Sequence, residues 1–241
     1  MKIKILNRDG SKSLYNKAIN NVIKCKGDTL ILAYGYISDS IIDDKDFISN
    51  IEQGFEGIEK KEIIIVGCKA DGKYSNLNEE NVIDELYDNV YQNYYNNGTS
   101  AKPEIAKFFD VCYKLKSKLK NVEITFLLKK QNEYGYIQYH KKIAIKIKDS
   151  RPVVALIGSS NLTIPAYQDN RDYNQEIDVL LWNSFDDKLN KDIMDSFKDK
   201  KKENNFSVGY QIDFELCNHL EDIIKELHNE KNNQFYGLVF E

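Results

Sequence analysis

His140 and Lys142 stand two apart on a segment that alternates like a strand, and side chains at that spacing leave the same face of a sheet. Tyr136, Gln138, His140, Lys142 and Ala144 fall on one face. Ile137, Tyr139, Ile143, Ile145 and Ile147 fall on the other, which the pattern predicts to be the buried one. The next strand, predicted over Pro152 to Ile157, runs into Gly158, Ser159, Ser160 and Asn161, where Ser159 and Asn161 can again share a face, and Glu176 follows. Imidazole, ammonium, hydroxyl and amide then converge on one spot. That set suits holding a phosphate and attacking it.

The pattern resembles the phospholipase D superfamily, whose signature is His-x-Lys, a short interval, then Gly-Ser-x-Asn; here it reads His140-x-Lys142 and Gly158-Ser159-x-Asn161. The run from Ile157 to Thr163, followed by Asn174, Gln175, Glu176, Ile177, Asp178 and Val179, looks most like the nuclease branch, which includes restriction-endonuclease and helicase-associated members. Where the longer signature places an aspartate seven residues after the histidine, this chain has Ile147, which points away from lipid-headgroup chemistry. The motif region covers about Tyr136 to Trp182. Before it, the likeness is one of element order.

Within this resemblance each residue has a chemical part. Neutral His140 is the nucleophile, attacking phosphorus to give a phosphohistidine and splitting one hard displacement into two. Lys142 supplies a fixed cation to the nonbridging oxygens, where charge must be stabilised in the transition state. Asn161 and Ser159 donate to the same oxygens. Glu176 accepts from the far ring nitrogen of His140 and fixes its tautomer, with Asp172 and Asp178 as rivals for that part. Gly158 lets backbone and substrate approach closely, and Ser160 and Asn174 complete the expected substrate contacts. No metal ligand set is expected and no cofactor is needed.

Other candidates read as ordinary structure. His219 and His228 are nine apart, an unhelpful spacing for shared metal ligation. Gly67 to Lys73 faintly imitates a phosphate loop but lacks the following Ser or Thr. Tyr87, Tyr91, Tyr94 and Tyr95 fall at helical spacing, which favours packing over base stacking. Tyr34 and Tyr36, at the end of a strand, are placed to line a cleft. The basic run at 198–202 reads as the solvated end of a helix.

The elements that must position these residues alternate. Strands are predicted at Lys2–Leu6, Thr29–Ile37, Glu62–Gly67, Val122–Leu128, Tyr136–Lys148, Val153–Ile157 and Ile177–Trp182. Helical stripes run through Leu14, Ala18 and Val22, through Phe47, Ile51 and Phe55 (closed by Gly54 and Gly57), and through Val82 to Tyr94. Two more run through Ile105 to Leu115 and from about Phe185 to Lys200. Phe206 to Leu216 alternates like a strand, Leu220 to Leu227 like a helix, and Phe235 to Phe240 reads as a last strand. The expected fold class is α/β, a mixed β-sheet flanked by helices in a phospholipase D-like sandwich, with a small C-terminal α/β extension. The expected division is a catalytic domain over 1–200 and an extension over 201–241 that serves dimerisation or DNA contact.

Composition limits the rest. A chain of 241 residues with 41% hydrophobic content and three prolines is long enough for one α/β domain with a real core. No apolar run approaches membrane-spanning length and the first residues read as a strand, so a cytoplasmic protein with no membrane partner is expected. Cys25, Cys68, Cys112 and Cys217 are far apart and read as reduced, partly buried thiols. The net charge of −4 alone would not suggest a nucleic-acid binder, although clustered lysines can still make a basic cleft.

The histidine count shapes the expected assembly. Phosphodiester exchange by this route needs a second group to protonate the leaving oxygen. The chain has three histidines and one motif, and neither His219 nor His228 has a lysine two residues on. A homodimer with one shared centre is therefore expected, C2 pairing being the commonest symmetry. The expected function is a metal-independent phosphodiesterase, an endonuclease of restriction or defence type acting on nucleic acid, DNA favoured. The alternatives are a silent nucleic-acid-binding module, or a phosphodiesterase acting on RNA or lipid.

Overall fold

The computed structural model describes residues 2–8, 14–67, 104–129, 142–167, 176–183, 186–197 and 235–240. Outside the described residues lie His140, Asn174, Asp172, His219, His228, Cys68 and Cys217. So do the predicted helix at 82–94, the predicted elements at 206–227, the basic run at 198–202 and the proposed domain boundary near residue 200.

The described elements are β1 (Lys2–Arg8), α1 (Tyr15–Lys24), β2 (Thr29–Ala33), a 3-10 turn (Asp39–Asp43), α2 (Lys45–Phe55) and β3 (Glu62–Gly67). After these come α3 (Glu104–Lys118), β4 (Glu123–Lys129), β5 (Lys142–Lys148), β6 (Arg151–Gly158) and α4 (Ile164–Tyr167). The last three are β7 (Glu176–Trp182), α5 (Asp187–Ser196) and β8 (Phe235–Phe240). The strands form one eight-stranded sheet in the order β1-β7-β6-β5-β2-β3-β4-β8. The adjacent strands β2, β3 and β4 run parallel, and every other strand pairing is antiparallel. The fold is α/β with a mixed sheet, as the alternation of elements predicts. Phe235–Phe240 is a strand as read, and it closes the sheet against β4.

The inner strands of the sheet are buried on both faces. On one, Leu30, Leu32, Ala144, Leu156 and Leu180 pack with Ala18, Ile19 and Val22 of α1, Phe47 and Ile51 of α2, Phe108 and Phe109 of α3, and Ile193 of α5. On the other, Ile31, Ile64, Ile143, Ile145 and Leu181 form a second cluster. This corrects the expectation for β5, whose supposed solvent face carries Ala144 and Lys146, both wholly buried. A strand in mid-sheet is covered on both sides, so polar alternation does not mark a wet face there.

Helix ends follow local chemistry. Asp44 caps α2 by accepting from Phe47 N at 2.9 Å, and Asp186 caps α5 by accepting from Leu189 N at 2.9 Å. Gly54 does not close α2 as predicted. It lies inside the helix, where a Cβ would land on the Ile23 carbonyl oxygen, so its bareness lets α2 approach the end of α1. Gly57, at φ +77°, takes the left-handed turn just beyond.

One hairpin sets the register of the site. Asp149 and Ser150, with φ of 51° and 62°, make the tight turn between β5 and β6, and Asp28 accepts from Asp149 N at 2.7 Å. A bulge then breaks the pairing between Lys146–Val154 and Ile147–Pro152. The extra residue brings Lys142 opposite Gly158; an unbulged ladder would set it opposite Ile157, whose side chain leaves the other face. No helix among the described residues is long and apolar enough to cross a membrane.

Candidate active site

Because β5 runs antiparallel to β2, with Ile143 opposite Ala33, the start of β5 lies at the edge where the parallel strands end. The same edge receives the end of β6 at Gly158 and the start of β7 at Glu176. In open α/β sheets this edge is where ligands bind. Lys142, Gly158 and Asp178 form one rung across three adjacent strands, and Leu6 of β1 extends it. Residues on one rung share a face, so Lys142 and Asp178 emerge together, with Glu176 two residues along β7 on that face.

The loop that leaves Gly158 is tied down residue by residue. Ser159 donates its hydroxyl to Glu176 Oε2 and accepts from Ile177 N at 3.0 Å, while its own N–H donates to Ile177 O at 3.1 Å. The serine proton expected to reach a phosphate oxygen is here held by a carboxylate, a charge-assisted contact of the stronger kind. Ser160 departs further from expectation. It is 1% exposed, donates its hydroxyl to Asp178 Oδ2 at 2.6 Å, and donates its N–H to Asp178 Oδ1 at 3.2 Å. Burial and that pairing turn it away from any substrate.

Gly158 is also corrected. A Cβ there would land on Asp178 Oδ1 and lie 2.6 Å from Ile177 O, so the room the glycine leaves is filled by β7 rather than kept for a ligand. Asn161 is half-buried, and its Oδ1 is buried without a hydrogen-bond partner among the described residues. An acceptor left in that state costs about 1–3 kcal/mol, so contacts other than its own amide oxygen must hold this residue in place. Its carbonyl accepts from Thr163 N at 3.0 Å, and Leu162 next to it bridges to Ile37 and accepts from Ser38 N at 2.9 Å. Thr163 then caps the short α4, accepting from Ala166 N at 3.3 Å.

Two aromatic expectations resolve differently. Tyr34 does not line a cleft: it is 1% exposed and accepts from the Tyr15 hydroxyl at 3.0 Å. Burial pushes its phenol well above the ordinary range, and the nearby Asp178 carboxylate adds to the rise. Tyr36 is half-buried, with Lys107 Nζ 5.1 Å from its ring centroid. Cys25 and Cys112 are free and buried as read, and burial raises both thiols, Cys25 to about 12.

The structure thus gathers Lys142, Gly158, Ser159, Ser160, Asn161 and Glu176 at one edge of the sheet. Asp178 is the residue the sequence undervalued, named there only as a rival to Glu176.

No family model and no curated protein matches this chain. Among solved structures it is similar to NucT from Helicobacter pylori, at TM-score 0.38 and 15% identity over 82% of this chain and 94% of that one. It is also similar to phosphatidylserine synthase of Haemophilus influenzae Rd KW20, at TM-score 0.40 and 14% identity over 96% of this chain and 46% of that one. Yeast tyrosyl-DNA phosphodiesterase is a third, at TM-score 0.36 and 13% identity over 75% of this chain and 46% of that one. The chain spans less than half the length of these last two. Similarity at this level carries no residue role and no activity over to this chain.

Proposed function

We propose that this protein is a phospholipase D-like phosphodiesterase that cleaves nucleic acid, DNA foremost, without a metal ion. The observation that supports it best is the rung of Lys142 and Gly158 with Ser159, Asn161 and Glu176 gathered at the same strand ends. His140, two residues before Lys142, is the nucleophile in this reading. Its ring nitrogen forms the N–P bond as the P–O ester bond breaks, and the departing oxygen takes a proton from a second imidazole. Water then gives a proton to that second imidazole and its oxygen displaces His140 from phosphorus. Lys142 and the Asn161 amide stabilise the equatorial oxygens in both steps. Glu176 orients His140, a role compatible with its hold on Ser159 because a carboxylate has four lone-pair sites.

The second imidazole is the partner's His140, which makes the enzyme a homodimer with one shared centre. A cytoplasmic restriction or defence setting follows from the resemblance around Ile157 to Thr163 and Asn174 to Val179. Residues 201–241 serve dimerisation or DNA contact. The test is incubation of the purified protein with plasmid, single-stranded DNA, RNA and bis(p-nitrophenyl) phosphate, each with and without excess chelator. Cleavage should persist in chelator, and His140→Ala should lower it by roughly a hundredfold or more. Activity that vanishes with chelator and returns with magnesium would overturn the mechanism, as would a fully active His140→Ala protein.

A further inference from the structure

The carboxylate of Asp178 lies over Gly158, the residue paired with Lys142, and each of its oxygens accepts from Ser160. Asp178 is 4% exposed and Ser160 1% exposed, so this contact is made out of water, where a hydrogen bond to a charged group is strongest. Ser160 sits between Ser159, which holds Glu176, and Asn161, whose amide oxygen has no partner of its own among the described residues. Gripping the middle residue by hydroxyl and backbone N–H together fixes the directions in which its two neighbours point.

We propose that Asp178 is a positioning residue of the site, acting through Ser160 to aim Asn161 and the Ser159–Glu176 pair, and that Gly158 is bare in order to admit it. The inference rests on the phosphodiesterase reading for its chemistry and on the Ser160 contacts for its geometry. A lost grip lets the Gly-Ser-Ser-Asn loop turn. Small misplacement of donors around a reacting phosphate lowers turnover while leaving distant binding contacts untouched.

The test uses the full-length protein with Asp178→Asn, Ser160→Ala and the double variant. An asparagine keeps the shape but can accept through one oxygen only, and alanine removes the hydroxyl alone. Each single variant should lose roughly 10- to 100-fold in kcat on plasmid with KM within about twofold, because most affinity for DNA rests on phosphate contacts elsewhere. The double variant should lose no more than the worse single one, since both weaken the one Asp178–Ser160 contact. The pH profile of the remaining activity should keep its parental midpoints, the acid and base being unchanged. Ile193→Ala, a core change in α5, serves as control: at a comparable fall in melting temperature it should keep parental kcat.

Inorganic phosphate, titrated by calorimetry, supplies a readout independent of cleavage. Its Kd should rise at least fivefold in Asp178→Asn, as this ligand has only the site to hold it. If the parent cleaves nothing yet binds phosphate, and Asp178→Asn weakens that binding, the phosphodiesterase reading fails and the positioning role stands. Parental kcat and parental phosphate affinity in Asp178→Asn would overturn the positioning role, as would additive losses in the double variant. A parent that neither cleaves any of the substrates nor binds phosphate would overturn both.

Discussion

The ammonium of Lys146 lies 3.4 Å from the ring centroid of Phe55, wholly buried and with no hydrogen-bond partner among the described residues. Lys146 is on β5, four residues beyond Lys142, and Phe55 ends α2. Burial pulls the lysine from 10.5 down to about 7. The charge of Asp28 opposes that fall, and Lys26 assists it. With its thiol pushed up to about 12, Cys25 is no counter-ion at neutral pH.

This predicts that Lys146→Met stabilises the protein. A cation over a desolvated ring returns about 2 kcal/mol. The pKa drop represents more, at about 1.4 kcal/mol per unit. A folded-state value below the unfolded one means that the unfolded chain binds the extra proton between about pH 7 and about 10.4, so parental stability rises with pH across that window. The penalty is full below about pH 7 and gone above the unfolded value. Denaturant titrations of parent and variant at pH 6, 8 and 9.5 should show a gain for Lys146→Met that is largest at pH 6 and shrinks upward. A gain independent of pH would mean that packing, not charge, sets the difference.

Gly54→Ala should be destabilising although the residue is inside a helix. Propensity alone favours alanine by about 1 kcal/mol. Here the added Cβ lands on the Ile23 carbonyl oxygen and lies 3.1 Å from Cys25 O, both backbone atoms that cannot step aside. Overpacking of this kind costs about 1–3 kcal/mol, so the contact outweighs the propensity. Thermal unfolding should show a lower midpoint than the parent. A higher midpoint would mean that α1 and α2 separate freely.

Much of the fold was legible because apolar runs and stripes dominate it. Glu62–Gly67 is a strand with the bounds read from sequence, and Ala18 and Val22 of the predicted α1 stripe are buried, with Leu14 at its start half-buried. The site was legible as a motif but not as a set of contacts. Along β7, alternation would bury Ile177 and expose Asp178, yet Ile177 is 58% exposed and Asp178 4%. The inversion is helped by Ser160, eighteen residues earlier, which supplies a donor to each oxygen of the carboxylate. Nothing local to Asp178 announces that partner. The bulge at the foot of β6 is equally silent in sequence, being a matter of pairing between strands rather than of either strand alone.

Asp43 offers a weaker, screenable contact. Lys114 Nζ reaches its Oδ2 at 2.7 Å and Lys118 Nζ its Oδ1 at 2.8 Å, clamping α3 to the 3-10 turn. These two lysine hydrogen bonds hold the Asp43 carboxyl below its usual value. A depressed carboxylate contributes stability that is present above the unfolded value of about 3.9 and lost as pH falls through the folded one. Both partners are partly exposed, so Asp43→Asn should cost less than about 1 kcal/mol at neutral pH. In denaturant melts that difference should shrink in 1 M salt and close in acid. A loss unaffected by salt would make the contact a packing one.

The histidine count gives the prediction that most directly tests the proposed assembly. The chain holds three histidines and a single His-x-Lys, so a shared centre takes one His140 from each protomer. A mixed dimer with one parental and one His140→Ala chain then has half a catalytic pair. It should be nearly inactive, since removing a nucleophile or general acid costs roughly a hundredfold or more. Co-refolding the two chains at varied ratios should make activity fall as the square of the parental fraction, given random pairing. Protomers working alone would give a straight line. A straight line, or full activity from a species that sediments as a monomer at assay concentration, would overturn the shared centre. The proton donor would then have to lie within one chain, with His219 and His228 the first to replace.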